Sequence, residues 1–212
     1  MKNLQLYITE KLKITKDNKY HYYPDNNYDL AYQILDEKLK SAKNSVLDMT
    51  DVDISNVTSL DSLFAGINDD FPQIEVIDIT GWDTSHIQSM SEMFANCINV
   101  RKIIGIEDLD LKSCRYMNSM FAMCRSLKSL DISKWRPSEQ LTDISYMFDT
   151  CHELEKLEGI ESEIWEDVIA NLSSEHVEKM FLNCEKLKLD LRHWWDYKDT
   201  TNIVKKCPKI KL

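Results

Sequence analysis

The chain repeats one short motif at a nearly constant spacing, and this repetition constrains the fold more than any other feature. The motif reads SEMFANC, NSMFAMC, SYMFDTC and EKMFLNC at residues 91–97, 118–124, 145–151 and 178–184. A fifth phenylalanine in similar context, Phe64, extends the series, and the period is about 27 residues. Such a period predicts structural units that lie against one another, because one short unit cannot bury its own apolar face.

A second pattern follows each cysteine. Apolar residues spaced three and then two apart, as in Leu127, Leu130 and Ile132, predict a short strand entered from a turn. The motif before each cysteine has apolar residues three and four apart, which predicts a helical turn. The predicted fold is therefore an α/β repeat solenoid with one short strand and one helical turn in each unit.

Equivalent side chains of neighbouring units are expected to lie above one another at about 5 Å. This predicts a structural core column made of Cys97, Cys124, Cys151, Cys184, Phe94, Phe121, Phe148 and Phe181. Cysteine suits such a position as a small apolar side chain with a weak donor. Neither C-x-x-C nor H-x-x-x-H occurs, so we expect no metal and no other cofactor.

The most complete copy of the pattern is MFAMCRSLKSLDISKW at residues 120–135, and it resembles the BspA-type leucine-rich repeat family. Residues 80–94, TGWDTSHIQSMSEMF, look like a second unit of that family, and residues 53–58 look like a partial copy. The resemblance covers about residues 45–195. It implies a curved, leucine-rich-repeat-like solenoid that is used for binding.

The remaining segments are predicted to close the ends of the repeats. Residues 1–44 predict an N-terminal cap with a strand from Tyr7 to Ile14, a loop, and a helix from Asp29 to Ala42. Residues 45–195 hold about five units, and residues 196–212 predict a C-terminal cap or tail. Three loop tyrosines, Tyr20, Tyr22 and Tyr23, are candidate partner contacts, with packing inside the cap as the alternative.

The fifth unit is six residues longer than its neighbours, and insertions in repeat proteins often form loops on the binding face. Its extra residues include Trp165 among Glu163, Glu166 and Asp167, which makes these four residues candidates for partner binding. The alternative is that Trp165 takes a core position equivalent to those of Trp82 and Trp135.

Charge and motif content narrow the function. The net charge of −10 comes from residues 45–180, which carry 26 Asp/Glu against ten Lys/Arg. An acidic surface favours a basic protein partner over nucleic acid. No apolar run is long enough for a signal peptide or a membrane span, which predicts a cytoplasmic protein without a membrane partner. The scattered histidines match no catalytic motif, so no enzyme is predicted.

We therefore expect a non-enzymatic, protein-binding repeat module of the cytosol. Its format suits a small effector, inhibitor or immunity-type protein, encoded by a phage or a mobile element. Two alternatives remain, namely a bacterial surface adhesin-like repeat protein, as the family resemblance suggests, and an acidic mimic of nucleic acid.

Overall fold

The structure is a computed structural model that describes residues 38–55, 57–196 and 202–211. Residues 38–41 are helical, and five strands of three residues each follow along the chain. The strands are β1 Val46–Asp48, β2 Val76–Asp78, β3 Lys102–Ile104, β4 Ser129–Asp131 and β5 Lys156–Glu158. The α-helices are α1 Ile67–Asp70 and α2 Glu163–Asn171, and the 3₁₀-helices are Ile106–Asp108, Ser174–His176 and Arg192–Asp196.

The strands pair in parallel in two small sheets, ordered β1-β2-β3 and β4-β5. The register places equivalent positions of successive repeats opposite each other, as in Leu47, Ile77 and Ile103. These central side chains are buried while their strand neighbours are more exposed, because successive side chains of a strand point to opposite faces. The apolar spacing after each cysteine therefore corresponds to one inward position per strand.

The prediction of an α/β repeat solenoid is wrong. The described residues contain few helices and only a three-stranded and a two-stranded sheet, and the segment predicted as a helical turn in each unit is not helical. In residues 91–97, Glu92 and Asn96 both have a φ of 58°, in the left-handed region. An α-helix needs consecutive right-handed residues, so these two positions interrupt it and leave hydrogen-bonded turns.

We call these segments the outer turns; they are residues 60–66, 90–96, 117–123, 144–150 and 177–183. Their alternate backbone N–H groups donate to the next repeat instead of to a carbonyl four residues earlier. Four such bonds of 2.7–2.9 Å join Met90, Glu92, Phe94 and Asn96 to the carbonyls of residues 116, 118, 120 and 122. Every bond of this set runs toward the C-terminal neighbour, which fixes the order and register of the repeats.

The core consists of equivalent side chains from successive repeats. Five phenylalanine rings, Phe64, Phe94, Phe121, Phe148 and Phe181, stack with centroids 5.2, 5.4, 5.4 and 5.7 Å apart. The series continues past residue 195, because Lys179, Phe181 and Asn183 donate backbone hydrogen bonds to residues 202, 203 and 205. At the other end, Leu39 of the helical segment packs into the same core.

The remainder of the predicted N-terminal cap lies outside the described residues. This applies to the strand from Tyr7 to Ile14, the loop, and the helix from Asp29 up to residue 37.

The close approach of neighbouring repeats can be tested at two glycines. Gly159 has a φ of +92°, and a Cβ there would lie 2.4 Å from Ser133 Cα of the preceding repeat. Gly81 has a φ of +86° but nothing within 4 Å of its Cβ position. We expect Gly81→Ala to cost about 1–2 kcal/mol from its backbone conformation alone. Gly159→Ala should cost about 1–3 kcal/mol more, since the backbones must separate. Denaturant unfolding of both variants measures this, and equal losses would contradict the close packing.

A second prediction concerns the left-handed positions of the outer turns. Thr150 has a φ of 60°, which is unfavourable for a β-branched residue, whereas asparagine tolerates this conformation and stands at the equivalent positions 96 and 183. We expect Thr150→Asn to raise the free energy of unfolding by about 0.5–1 kcal/mol. Thermal unfolding provides the measurement, and a lower melting temperature than that of the unsubstituted protein would refute the expectation.

Candidate partner-binding site

The longer fifth unit forms α2, which is held in the core by one of its faces. Trp165 and Ile169, four residues apart, are each 1% exposed, and Leu172 after the helix end is also buried. The Trp165 ring centroid lies 6.4 Å from that of Trp135, at an interplanar angle of 47°. Glu163 and Glu166 in the first turn suit the positive end of the helix dipole. The helix is therefore anchored along its length.

Trp165 is a core residue and is not available as a surface contact in this structure. It lies beside Trp135 in the core, which was the alternative to a partner contact. The indole is the largest apolar group of the insertion, so its burial holds α2 against the core. The two indoles differ in hydrogen bonding. Trp135 Nε1 donates to Ile106 O at 2.7 Å, whereas Trp165 Nε1 is buried without a partner among the described residues.

The outward side of α2 is acidic. Glu163 and Asp167 lie four residues apart on one helix face, and both are exposed. The Glu166 side chain is more enclosed, at 19% exposed, and its carboxylate lies 3.8 Å from His193 Nε2 of the last 3₁₀-helix. No basic residue lies in the last turn of α2. We call Glu163, Glu166 and Asp167 the acidic helix face.

The other predicted contacts, Tyr20, Tyr22 and Tyr23, lie outside the described residues and remain predictions.

The predicted column residues lie next to one another in the core. Cys97, Cys124, Cys151 and Cys184 are all buried, and each Sγ donates to the backbone carbonyl of the phenylalanine one repeat earlier, at 3.0–3.1 Å. Cys207 makes the same bond to Phe181 O and continues the series. Sequence reasoning missed Cys207 because it follows Cys184 by only 23 residues and no Met-Phe pair precedes it. The pair Ile203 and Val204 was the available signal.

Burial controls the chemistry of these thiols. It raises the pKa of Cys114 to about 12 and that of Cys207 to about 11, and it holds the pKa values of Cys124, Cys151 and Cys184 well above the usual range. Since the thiolate is the reactive form, these groups are poor nucleophiles in the folded protein. Within the described ranges, no three His, Cys, Asp or Glu side chains are placed to hold a metal ion.

Part of the acidic charge has a local structural role at the corners of the repeats. Hydrogen bonds from Thr50 lower the pKa of Asp48, and hydrogen bonds from Ser55, Ser85 and Ser133 do the same for Asp53, Asp83 and Asp131. In each case the carboxylate accepts the backbone N–H two residues later. This geometry is the Asx-turn that favours aspartate at tight turns.

The geometry defines a protein of parallel-paired repeats with a buried Phe–Cys core and one inserted acidic helix. The family model that matches, described as "Mycoplasma protein of unknown function, DUF285", covers residues 33–156 and again residues 67–194. The chain belongs to this family. No curated protein and no solved structure matches the chain.

The family match corrects the resemblance drawn from the motifs. The assignment to the BspA-type leucine-rich repeat family is wrong, because the matching family is DUF285 and no leucine-rich repeat family matches. In the described part of the chain, no helix has both the length and the apolar character needed to cross a membrane.

The state of the thiols is testable by alkylation and by pH. We expect iodoacetamide at pH 8 to label the native protein very slowly and the unfolded protein fully, with Cys207 the first native site because it is 7% exposed.

Above the ordinary thiol pKa of 9.0, the unfolded chain loses protons that the folded protein keeps. The stability advantage of the unsubstituted protein over Cys114→Ala should therefore shrink between pH 9 and about 12. Rapid native labelling of Cys124 would contradict the buried, protonated state.

Proposed function

We propose that the protein is a non-enzymatic protein-binding module whose acidic helix face contacts a basic surface of its partner. One observation carries the proposal: the insertion that lengthens the fifth unit forms a helix anchored by Trp165 and Ile169, with the carboxylates of Glu163 and Asp167 on its exposed side. A helix held in place in this way presents its charges with little loss of conformational entropy on binding.

The charge of the whole molecule supports the same partner chemistry. A net charge of −10 attracts a basic protein over a distance of several ångströms and raises the rate of encounter, while the fixed carboxylates of α2 supply local specificity. Exposed carboxylates lie at the rim of an interface, so they affect the association rate and its salt dependence more than the equilibrium affinity.

The proposed setting is the cytosol, in the role of an effector, inhibitor or immunity-type protein of phage or mobile-element origin. The six free, buried cysteines support a reducing compartment, because proteins of oxidising compartments commonly use cysteines in disulfides. The corner aspartates support protein binding over mimicry of nucleic acid, since their carboxylates are engaged by their own turns.

The test is a tagged pull-down from host lysate at low and high salt, with partners identified by mass spectrometry. Glu163→Lys/Asp167→Lys should reduce recovery of a basic partner roughly tenfold or more, because the reversal places two like charges against a basic surface. The matched control is Asp69→Lys/Asp70→Lys, which makes the same charge change at exposed residues of α1 and should retain the partner.

Each alternative gives a different result in that experiment. Equal losses from both double variants would show that only net charge matters and would reject the acidic helix face as the contact. Capture of a set of nucleic-acid-binding proteins that all dissociate at high salt would favour the mimic instead.

A further inference from the structure

Within the acidic middle of the chain, residues 45–185, the basic residues are concentrated in one band. Residues 45–100 carry ten Asp/Glu and no Lys or Arg, and residues 137–185 carry thirteen Asp/Glu and two Lys. Between them, residues 101–136 carry eight Lys/Arg and four Asp/Glu, and they include four of the five arginines of the chain. The structure therefore has a basic band between two acidic regions.

Three arginines of this band, Arg115, Arg125 and Arg136, lack a carboxylate partner among the described residues. Arg115 Nε donates to Gln140 Oε1 at 3.1 Å, and Arg136 donates to the backbone carbonyls of Ser133 and Trp135. The guanidinium of Arg125 makes no hydrogen bond or ion pair with a described residue. Three other bases of the band form ion pairs, Arg101 with Glu75, Lys112 with Asp110 and Lys134 with Asp108. Arg115 and Arg125 thus keep guanidiniums without a carboxylate partner among the described residues, and the two bracket one outer turn.

The same turn carries the exposed large apolar side chains of the described structure. Tyr116 is 45% exposed and Met123 is 40% exposed. The outward residues between them, Asn118, Ser119 and Ala122, are small and half-buried. The side chains of Tyr116 and Met123 therefore stand out at the two ends of the turn. Tyrosine, methionine and arginine are the residue types enriched at protein–protein interfaces. We call residues 115–125 the arginine-flanked turn.

We propose that the arginine-flanked turn is a second binding surface, and that it takes a protein segment in which carboxylates flank an apolar side chain. The two guanidiniums offer forked donors that fit carboxylates, and Tyr116 and Met123 offer the apolar contact between them. This surface is opposite in charge to the acidic helix face and lies in a different repeat. The protein then has separate surfaces for a basic and an acidic binding segment.

The neighbouring repeats favour a protein segment over a nucleic acid. Asp143 pairs with Tyr116 across the repeats, Asp149 O accepts the Met123 N–H, and Glu92 is exposed on the preceding outer turn. A nucleic acid needs several phosphate contacts along its backbone, and it would meet these carboxylates within one repeat on either side. A short acidic segment has only two carboxylates to place, one at each guanidinium, and needs no further anionic groups along the neighbouring repeats.

The experiment is a selection of a displayed library of random 12-residue peptides on the full-length protein. We expect enrichment of peptides with Asp or Glu on both sides of an aromatic or leucine residue. A synthesised consensus peptide should lose roughly tenfold or more in affinity with Arg115→Glu/Arg125→Glu and with Tyr116→Ser/Met123→Ser. The matched control Arg101→Glu/Lys102→Glu lies in the same band and should stay within roughly twofold.

The variants replace exposed side chains, so circular dichroism and melting temperature should match those of the unsubstituted protein. Arg115→Ala/Arg125→Ala provides a second pair if the reversed charges disturb folding. Glu163→Lys/Asp167→Lys should leave peptide binding unchanged, which separates this surface from the one proposed above. Enrichment that is absent, or that persists in the Arg115→Glu/Arg125→Glu protein, would overturn the proposal.

Two further outcomes would reassign the surface. Binding of a 20-base-pair DNA or a 20-nucleotide RNA at physiological salt, lost in the Arg115→Glu/Arg125→Glu variant, would make it a nucleic-acid interface. A dimer in sedimentation equilibrium that dissociates on Tyr116→Ser/Met123→Ser would make it a contact between two copies of this chain.

Discussion

The backbone hydrogen bonds between outer turns are the interaction on which the rest of the structure depends. Each outer turn directs alternate N–H groups to carbonyls of the following repeat, as Glu92 does to Asn118 O. Equivalent residues are thereby placed opposite one another. This register sets Phe94 beside Phe121 and brings Cys124 Sγ within 3.1 Å of Phe94 O. The stacked rings and the thiol bonds are therefore consequences of one register, and each reinforces it.

The same constraint explains what could be predicted from the sequence. The period and the inward residues of the strands were readable because burial selects the residue type at each inward position, repeat after repeat. The outer turns were not readable as turns, since apolar spacings of three and four occur both in a helix and in two successive tight turns. The left-handed positions carry Glu92, Ser119, Tyr146 and Lys179 in place of glycine, so the residue types do not indicate a left-handed conformation. Hydrogen bonds to the neighbouring repeat impose this conformation, and the local sequence propensity of each turn does not reflect those bonds.

The candidate site was likewise only partly predictable from the sequence. The sequence identified the extra length of the fifth unit and its acidic residues, because a departure from a period is visible in one chain. It left the role of Trp165 open, since an indole among carboxylates suits either an interface or an anchor. Packing against Trp135 decides in favour of the anchor and turns Glu163 and Asp167 outward. The arginine-flanked turn was not predicted, because it depends on the lack of a carboxylate partner for Arg115 and Arg125 among the described residues, which only the structure shows.

Repeat positions inside and outside the core are under different physical constraints, and this difference bears on function. An inward residue such as Phe121 touches both neighbouring repeats, so a change there disturbs two interfaces at once. An outward residue such as Met123 keeps only its backbone bond to the next repeat, and its side chain can change without affecting register. Recognition surfaces can therefore differ from one repeat to the next while the core stays the same. The acidic helix face and the arginine-flanked turn occupy such outward positions, in different repeats and with opposite charge, on a scaffold whose register neither of them determines.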